Sequence, residues 1–290
     1  MEVEVTSGLF GRGVIAFRRF PSCGLSFSFM KLLFSEAVPD PVNYVYPYAV
    51  WAFLEEGETP ATAFQAGFLP SSPQLDRFYL VRNVRVPLAG WEATSENRRI
   101  LRKLSGIDSE LVPRSHWQGK PGDRERWQAW ADNSFGPGVM SRARLDRLMD
   151  SPVISHLLRF IEIGSGRELA VALMYLEPPS VAYYYYAFYD PAPEWRHLGM
   201  GLMTRAVELM SRSGYQHLYI GNCYTEAALY KTQFDAVEFF NGLRWSANLQ
   251  ELKHLVRVPL QGRHRLETPE FLEHQGAPLA ELAAESAFRR

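Results

Sequence analysis

The residues best suited to chemistry lie between Tyr183 and Trp245, where a turn with two closely spaced glycines opens a helix. Glycine lets backbone N–H groups approach an anion closely, and the N-terminus of a helix carries a partial positive charge. This combination favours a phosphate-bearing acyl donor, although an ordinary tight turn is the structural alternative. The predicted donor contacts in the turn are Arg196, Leu198, Gly199, Met200 and Gly201.

A candidate acid and two candidate bases accompany this turn. Tyr230 follows one strand and a turn later, where its phenol could protonate a leaving group. Lys231 points in another direction on a helix and is a candidate phosphate contact. Asp190 and Glu238 are candidates to deprotonate an incoming amine or to bind its ammonium form. The structural alternatives are a packing tyrosine, a solvated lysine and an aspartate that begins a turn.

Tyrosines 183–186 occupy a strand on which successive side chains face opposite sides. One pair could stack on adenine or line an acyl pocket, whereas simple β propensity would place them in the core or on the surface. Tyr185 and Asn222 complete the predicted donor site.

Composition excludes several function classes. The chain has 290 residues, 47% of them hydrophobic and 22% charged, as expected for a globular protein with a full core. The net charge of −1 indicates no class of partner. Cys23 and Cys223 cannot by themselves build a metal site or a disulfide framework, and the spacing of the histidines is not that of metal ligands. We expect no metal, no resident cofactor, no membrane or DNA partner, and a reducing cytoplasm.

The elements that must position these residues follow from periodicity and turn signals. Two strands should flank the hairpin turn 164–166, and a third should span 181–189. A helix from the glycine turn to Gly214, followed by a strand at 217–221, predicts a crossover between parallel strands. A short helix at 225–232 and a hairpin around Asn241-Gly242 come next.

The first half of the chain has weaker signals. It predicts short strands within 31–54, a helix after Thr59-Pro60, and a strand pair within 76–88. A helix at 96–104 should be capped by Thr94 or Ser95, and an amphipathic helix should cover 141–149.

Two segments carry family-like motifs. The first is the strand Val84-Arg85-Val86-Pro87 followed by the basic helix 94–103. The second runs from Phe188-Tyr189-Asp190-Pro191 through Leu198-Gly199 to a segment with the spacing Tyr-Lys-x-x-Phe-x-x-x-Glu at 230–238, and then to Asn-Gly-Leu-Arg-Trp at 241–245. Together they resemble the arginyl- and leucyl-tRNA–protein transferases, which add an amino acid to protein N-termini in the N-degron pathway. The resemblance covers about residues 76–104 and 135–250.

The chain also departs from the family pattern. It lacks the N-terminal cysteine cluster, so redox or metal control of that kind is not expected. Ala236 replaces the family's proline, and Gly201 gives the turn an acetyl-CoA-type pattern. The donor therefore stays open between an aminoacyl-tRNA and an acyl-CoA.

The resemblance implies an α/β (α+β) fold with a GNAT-like acyltransferase domain and a smaller N-terminal module. We expect the module at 30–110, a linker at 111–138 that is partly helical at 124–131, the transferase domain at 139–260 and a C-terminal tail at 261–290 with a short helical pattern. Residues 1–29 are interpreted as a disordered tail or as residues that precede a true start at Met30.

The activity implied is aminoacyl transfer, of Arg or Leu, from charged tRNA to the N-termini of acceptor proteins. The resemblance also implies cations that contact the phosphates of the tRNA acceptor stem, although a solvated charged face is the structural alternative. Two other functions stay open: acyl-CoA-dependent N-acetylation, and non-catalytic binding of protein N-termini or RNA. The predicted tRNA contacts are Arg85, Arg98, Arg99, Arg102 and Lys103.

Overall fold

The computed structural model describes residues 30–36, 48–195, 197–257, 268–276, 278 and 281. The predicted N-terminal tail, Arg196 of the glycine turn and most of the predicted C-terminal tail lie outside the described residues.

The described strands form two sheets. The smaller sheet has four antiparallel strands in the order β1-β2-β4-β3, which are β1 Lys31–Glu36, β2 Tyr48–Phe53, β3 Phe68–Pro70 and β4 Phe78–Leu80. The larger sheet has eight strands in the order β12-β11-β5-β10-β9-β8-β7-β6. They are β5 Asn83–Pro87, β6 Ile107–Pro113, β7 His156–Glu162, β8 Glu168–Glu177, β9 Val181–Tyr189, β10 His217–Asn222, β11 Glu238–Phe240 and β12 Trp245–Ser246.

Helices cover both faces of the larger sheet. Within the described ranges they are α1 Pro60–Gln65, α2 Ser95–Arg102, α3 Asp123–Phe135, α4 Arg142–Met149, α5 Leu198–Arg212, α6 Leu249–Arg257 and α7 Pro269–Gln275. Short 3₁₀ helices span Arg114–His116, Pro193–Trp195 and Glu226–Gln233. The α/β class is confirmed, as is the strand–helix–parallel strand crossover, β9-α5-β10, on which the predicted GNAT-like domain depends.

Three apolar clusters hold these layers together. On one face of the larger sheet, Leu202 of α5 and Leu218 of β10 belong to one buried cluster. On the other face, Trp127 of α3 and Phe188 of β9 lie in a second cluster. A third cluster joins the larger sheet to α1 and the smaller sheet, and its aromatic centre is Phe64. Because β8 is buried on both faces, its sequence is a nearly continuous apolar run rather than an alternation.

Local sequence explains where the two helices nearest the site begin or pack. The Thr94 hydroxyl accepts a hydrogen bond from the Asn97 amide and the Asn97 side chain accepts one from the Thr94 amide, which makes a reciprocal cap for α2. Gly201 of α5 faces Leu104, just after α2, and a Cβ there would lie 2.7 Å from Leu104 Cδ1. Gly201 therefore lets α5 and α2 pack closely.

One prediction about the first half of the chain is wrong, and another is confirmed in part. Strands β4 and β5 do not pair with each other, because β4 joins the smaller sheet and β5 lies between β10 and β11 in the larger one. The segment 111–138, predicted to be a linker that is partly helical at 124–131, contains the end of β6 and all of α3, so the helix is confirmed, and Trp127 is fully buried in it. Trp127 and Trp130 pack this helix into the second apolar cluster. The division of the chain into independently folding units stays a prediction.

The C-terminal segment contains the helix α7, in line with its short helical pattern. Its Gln275 Nε2 donates a hydrogen bond to the buried Glu251 of α6, and Asn241 Nδ2 donates to the other polar atom of the Gln275 amide. These bonds attach α7 to α6 and to the hairpin formed by β11 and β12.

Candidate functional site

A cleft of about 520 Å³ lies where the parallel strands β9 and β10 separate. The strands are paired between Val181–Tyr183 and His217–Tyr219, yet β9 continues to Tyr189 and β10 to Asn222. Ligands of open α/β sheets bind beyond the carboxyl ends of such strands. The described residues that line the cleft are Ser134, Phe135, Tyr184, Tyr185, Tyr186, Ala187, Tyr189, Gly199, Met200, Met203, Ile220, Tyr230 and Lys231.

A β-bulge shapes one wall of the cleft. Leu173 of β8 pairs with Tyr186 and Met174 pairs with Tyr184, so Tyr185 is the extra residue on β9. A bulge leaves the backbone of the extra residue outside the regular ladder and redirects the neighbouring side chains. The bulge explains how three consecutive tyrosines can all line one cleft, which an ordinary strand does not permit.

The start of α5 forms a second wall. Gly199 and Met200 line the cleft, and a Cβ on Gly199 would lie 3.0 Å from Tyr189 Cζ. The first helical hydrogen bond runs from the Gly201 amide to the His197 carbonyl at 2.8 Å, so the preceding amides lack an acceptor within the helix. These amides and the helix dipole favour an anion at this end of α5.

The predicted turn residues therefore separate into two groups. Gly199 and Met200 are in the cleft, whereas Leu198 is buried in the core and Gly201 contacts Leu104. The prediction that Leu198 and Gly201 contact the donor is not supported by this placement. Arg196 lies outside the described residues.

Three tyrosine side chains meet in the cleft. Tyr230 is 49% exposed, whereas Tyr184 is 6% exposed and its hydroxyl has no hydrogen-bond partner among the described residues. Burial raises the pKa of Tyr184 well above its usual value, and the neighbouring Tyr230 and Tyr189 raise it further. Burial also raises the pKa of Tyr230, with additional contributions from Tyr189 and Cys223. Both phenols therefore stay protonated at neutral pH and are hydrogen-bond donors.

Gln233 joins the two sides of the cleft. Its Nε2 donates to the Tyr230 carbonyl at 2.8 Å and lies 2.7 Å from Met200 Sδ. This side chain connects the 3₁₀ helix that carries Tyr230 to the start of α5. Gln233 thereby holds the segment that carries Tyr230 against the start of α5. Gln233 was not among the predicted site residues.

Among the described residues that line the cleft, Lys231 is the only one with a positively charged side chain. Its Nζ donates to the Asn222 carbonyl at 2.7 Å and approaches Gly221 closely. Burial lowers the pKa of Lys231, while the adjacent Cys223 opposes this shift. Asn222 is exposed and contributes its backbone carbonyl to the site rather than a side chain that lines the cleft.

The two candidate bases lie elsewhere, which corrects their predicted role. Asp190 lines a second pocket together with Glu168, and its Oδ1 accepts from the Ala192 amide at 3.0 Å, the geometry of a turn residue. Glu238 Oε2 lies 2.7 Å from both Nε and Nη2 of Arg85. Glu238 is therefore held in an internal ion pair, and it does not line the cleft.

Arg85 is likewise committed to internal contacts. Besides Glu238, its guanidinium lies over the ring of Trp245 at 3.9 Å. Its side chain is 12% exposed. The prediction that Arg85 contacts tRNA is therefore corrected, since the alternation of β5 turns this side chain towards the partner hairpin.

The other predicted tRNA contacts form an exposed basic face on α2. Arg98, Arg99, Arg102 and Lys103 are all exposed. Arg99 pairs with Glu96, its Nε 2.6 Å from Glu96 Oε2. Lys103 Nζ lies 2.8 Å from Nε2 of His197, which precedes α5. The basic face is thus adjacent to the start of α5, where the cleft begins.

Several cleft residues were not predicted. Tyr189, Met203 and Ile220 belong to predicted elements but were not named as site residues, and their convergence depends on the bulge and on the separation of β9 from β10. Tyr184 and Tyr186 belong to the tyrosine run of which one pair was expected to stack on adenine or line an acyl pocket, and both line the cleft. Ser134 and Phe135 come from the end of α3, in the stretch that was predicted to be a linker.

Comparisons with known proteins support a transferase. No family model matches the chain. The chain is 28% identical over 236 residues to an aspartate/glutamate leucyltransferase of Pseudomonas paraeruginosa, which covers 75% of this chain and 97% of that protein. It is 25% identical over 170 residues to the enzyme of the same name from Chromohalobacter salexigens, covering 56% of this chain and 67% of that protein.

Solved structures overlap only in part. A C-terminal domain ascribed to a lysylphosphatidylglycerol synthetase from Agrobacterium fabrum has a TM-score of 0.40 and 16% identity, covering 52% of this chain and 49% of that one. FemX has a TM-score of 0.37 and 10% identity, covering 49% and 52%.

The named relatives support the expected relation to aminoacyltransferases, and they do not support arginine over leucine. Among the described residues, none of the helices has the length and apolar character to cross a membrane. The cytoplasmic location stays a prediction.

Proposed function

We propose that the protein transfers leucine from charged tRNA to the N-terminal amine of acceptor proteins. The observation that carries the proposal is the cleft between β9 and β10, which combines the first amides of α5 with the protonated phenol of Tyr230. Ester aminolysis needs a bound donor, stabilisation of developing negative charge and a proton for the leaving oxygen. The sequence similarity to aspartate/glutamate leucyltransferases supports the same reaction.

The lining of the cleft favours leucine over arginine. Met200, Met203 and Ile220 offer apolar surface, and no carboxylate lines the cleft among the described residues. A guanidinium removed from water needs an anionic partner, whereas Lys231 would repel it. A leucine side chain has no such requirement.

The proposed reaction conserves atoms and charge. The neutral acceptor amine attacks the ester carbonyl, a C–N bond forms, and the bond from the carbonyl carbon to the ribose 3′ oxygen breaks. Tyr230 gives its proton to the 3′ oxygen and regains one from the nitrogen, so the products are an amide and a free hydroxyl. A strong base is not required, because an α-amino group has a pKa of about 7.7–8.0 and is partly neutral at pH 7.

The basic face of α2 supplies a route for the rest of the donor. Arg98, Arg102 and Lys103 lie beside the start of α5, so phosphates near the 3′ end of tRNA could follow α2 while the terminal adenosine enters the cleft. Contacts of this kind recognise the backbone and not the base sequence.

Lys231 would bind an anion in the cleft. The donor's terminal phosphate is the predicted ligand. The names of the relatives suggest a second one, the side-chain carboxylate of an acceptor that begins with Asp or Glu.

The test is a transfer assay with Tyr230→Phe. The protein is mixed with leucyl-tRNA or arginyl-tRNA and a peptide that begins with Glu, and the peptide mass is followed; acetyl-CoA serves as the alternative donor. We expect a mass increase of one leucine residue, and a fall of about 10²–10⁴ in turnover for Tyr230→Phe with nearly unchanged donor affinity.

Acetylation of the peptide would instead support the acyl-CoA alternative, and arginine transfer would contradict the preference for leucine. Absence of any product from the folded wild-type protein would contradict an enzymatic function. Full activity in Tyr230→Phe would contradict the role of Tyr230 as the acid.

A further inference from the structure

The hydroxyl of Tyr184 is a buried polar group that the fold does not use. Tyr184 is 6% exposed, and its hydroxyl has no partner among the described residues. A buried hydroxyl without a hydrogen bond costs about 1–3 kcal/mol, so native proteins rarely keep one. Its side chain lines the cleft, where a bound molecule can supply the missing partner.

The position of this hydroxyl restricts what the partner can be. Tyr184, Tyr189 and Tyr230 all line this cleft, so the buried hydroxyl of Tyr184 shares one cavity with the phenol of Tyr230. Because Tyr230 is proposed to meet the leaving atom of the donor, Tyr184 meets a donor atom close to the leaving atom.

The two donor classes differ at this atom. In an aminoacyl-tRNA ester the leaving 3′ oxygen has a 2′-hydroxyl on the adjacent carbon, and this hydroxyl is both a donor and an acceptor. In an acyl-CoA thioester the leaving sulfur is bonded to a methylene group, which offers no hydrogen bond. A pair of neighbouring phenols therefore matches the two vicinal oxygens of a ribose.

We propose that Tyr184 binds the 2′-hydroxyl of the donor's terminal ribose and thereby selects an RNA ester over a thioester. This inference rests on the proposed function and adds a specificity residue to it. Tyr230 acts on the 3′ oxygen, and Tyr184 holds the neighbouring hydroxyl so that the ester lies in a fixed orientation.

The experiment compares two tRNA donors in three proteins, and two measurements on the free proteins check that each one is folded. One tRNA ends in adenosine and the other in 2′-deoxyadenosine, and leucine is attached chemically to the 3′ oxygen of each. The value of kcat/KM for each donor is then measured with wild type and with Tyr184→Phe. Tyr175→Phe is the matched control, because its hydroxyl donates to Glu177 at 2.9 Å and does not line the cleft. Thermal unfolding and circular dichroism of the free proteins report on the fold.

The quantity compared is the ratio of kcat/KM for the donor with the 2′-hydroxyl to kcat/KM for the donor without it. We expect this ratio to be about tenfold larger in wild type and in Tyr175→Phe than in Tyr184→Phe, because one hydrogen bond to a buried group has this size. The comparison cancels any effect of the 2′-hydroxyl on the intrinsic reactivity of the ester, since that effect is the same for all three proteins. Tyr184→Phe should unfold at the wild-type temperature or slightly above it, because the fold loses no hydrogen bond.

The alternative outcomes are distinct. If wild type transfers leucine but the effect of the 2′-hydroxyl is equal in wild type and Tyr184→Phe, the inference is overturned and the proposed function stands. If wild type transfers nothing from either donor, the proposed function itself fails. A clear loss of stability in Tyr184→Phe would show that the hydroxyl serves the fold, which also overturns the inference.

Discussion

The two glycines at the start of α5 should respond to alanine in opposite ways. Both were candidate donor contacts in the sequence, yet they face different surroundings. A Cβ on Gly199 would lie 3.0 Å from Cζ and 3.1 Å from the hydroxyl oxygen of Tyr189, at the wall of the cleft. A Cβ on Gly201 would lie 2.7 and 2.9 Å from the two Cδ atoms of the buried Leu104.

These distances set the expected magnitudes. Alanine is favoured over glycine inside a helix by up to about 1 kcal/mol, and this gain applies to both positions. At Gly201 it is opposed by overpacking against Leu104, which costs about 1–3 kcal/mol in a filled core. The net effect of Gly201→Ala is a loss of about 0–2 kcal/mol. At Gly199 the Tyr189 ring is half-buried and can shift by a few tenths of an ångström, so stability should be unchanged or higher.

The assay pairs thermal unfolding with the kinetics of leucine transfer. Gly201→Ala should lower the unfolding temperature by about 2–4 °C per kcal/mol lost, with kinetics close to wild type for the folded fraction. Gly199→Ala should raise the KM for the charged tRNA, because the methyl group narrows the approach to the first amides of α5 and displaces Tyr189.

The reverse pattern would refute this reasoning. A stable Gly201→Ala with a raised donor KM would mean that Gly201 contacts the donor after all. A Gly199→Ala variant with normal transfer kinetics would mean that the anion site is not at the start of α5.

Two further predictions concern charge. Replacing Arg98 and Arg102 with alanine should make the plot of log binding constant for tRNA against log salt concentration less steep by one to two units, since each phosphate contact contributes about 0.9 or less. Arg99→Ala should change this slope less, because Arg99 is already paired with Glu96. Equal slopes for all variants would argue against tRNA binding at this face. Because burial lowers the pKa of Lys231, the unfolded chain binds its proton more tightly than the folded protein does, and wild-type stability should rise with pH from the folded pKa up to about 10.4. Lys231→Met should lack this rise and be at least as stable as wild type at pH 7 in thermal unfolding, and a variant that is less stable at pH 7 would contradict the assignment.

Sequence reasoning recovered the crossover because its signals are local. The tyrosine-rich strand, the glycine turn and the apolar face of α5 each have a period or a turn residue that predicts the element directly. The expected strand at 181–189 matches β9 in both of its bounds, and the expected cap of α2 is Thr94.

The cleft itself was only partly predictable, because its shape depends on register. The bulge at Tyr185 follows from how β8 pairs with β9, and that pairing is set by packing on both faces of the sheet. The same limitation explains Glu238 and Arg85. Each was a sound candidate as a lone charged side chain, but opposite register positions on β11 and β5 join them into a pair.

The stretch at 111–138 was predicted only in part, for a different reason. Its glycines, prolines and charges are typical of a connection, whereas its tryptophans supply the buried surface that anchors α3 against β9. The end of α3 then brings Phe135 to the cleft. A segment predicted to be a partly helical linker therefore contributes residues to the candidate site.

For the proposed transfer, the cleft would act by positioning more than by a strong base. Raised pKa values keep the phenols of Tyr184 and Tyr230 protonated, so both are donors, and the first amides of α5 are donors as well. The polar groups of the described cleft are therefore mainly ones that stabilise negative charge and supply protons, which suits the departure of an oxygen from an ester. The attacking nucleophile needs little help, since a protein's α-amine is already partly neutral near pH 7. A lysine side chain, with a pKa of about 10.4, would remain protonated under the same conditions, so a site built in this way favours protein N-termini over lysine side chains without having to recognise either one by shape.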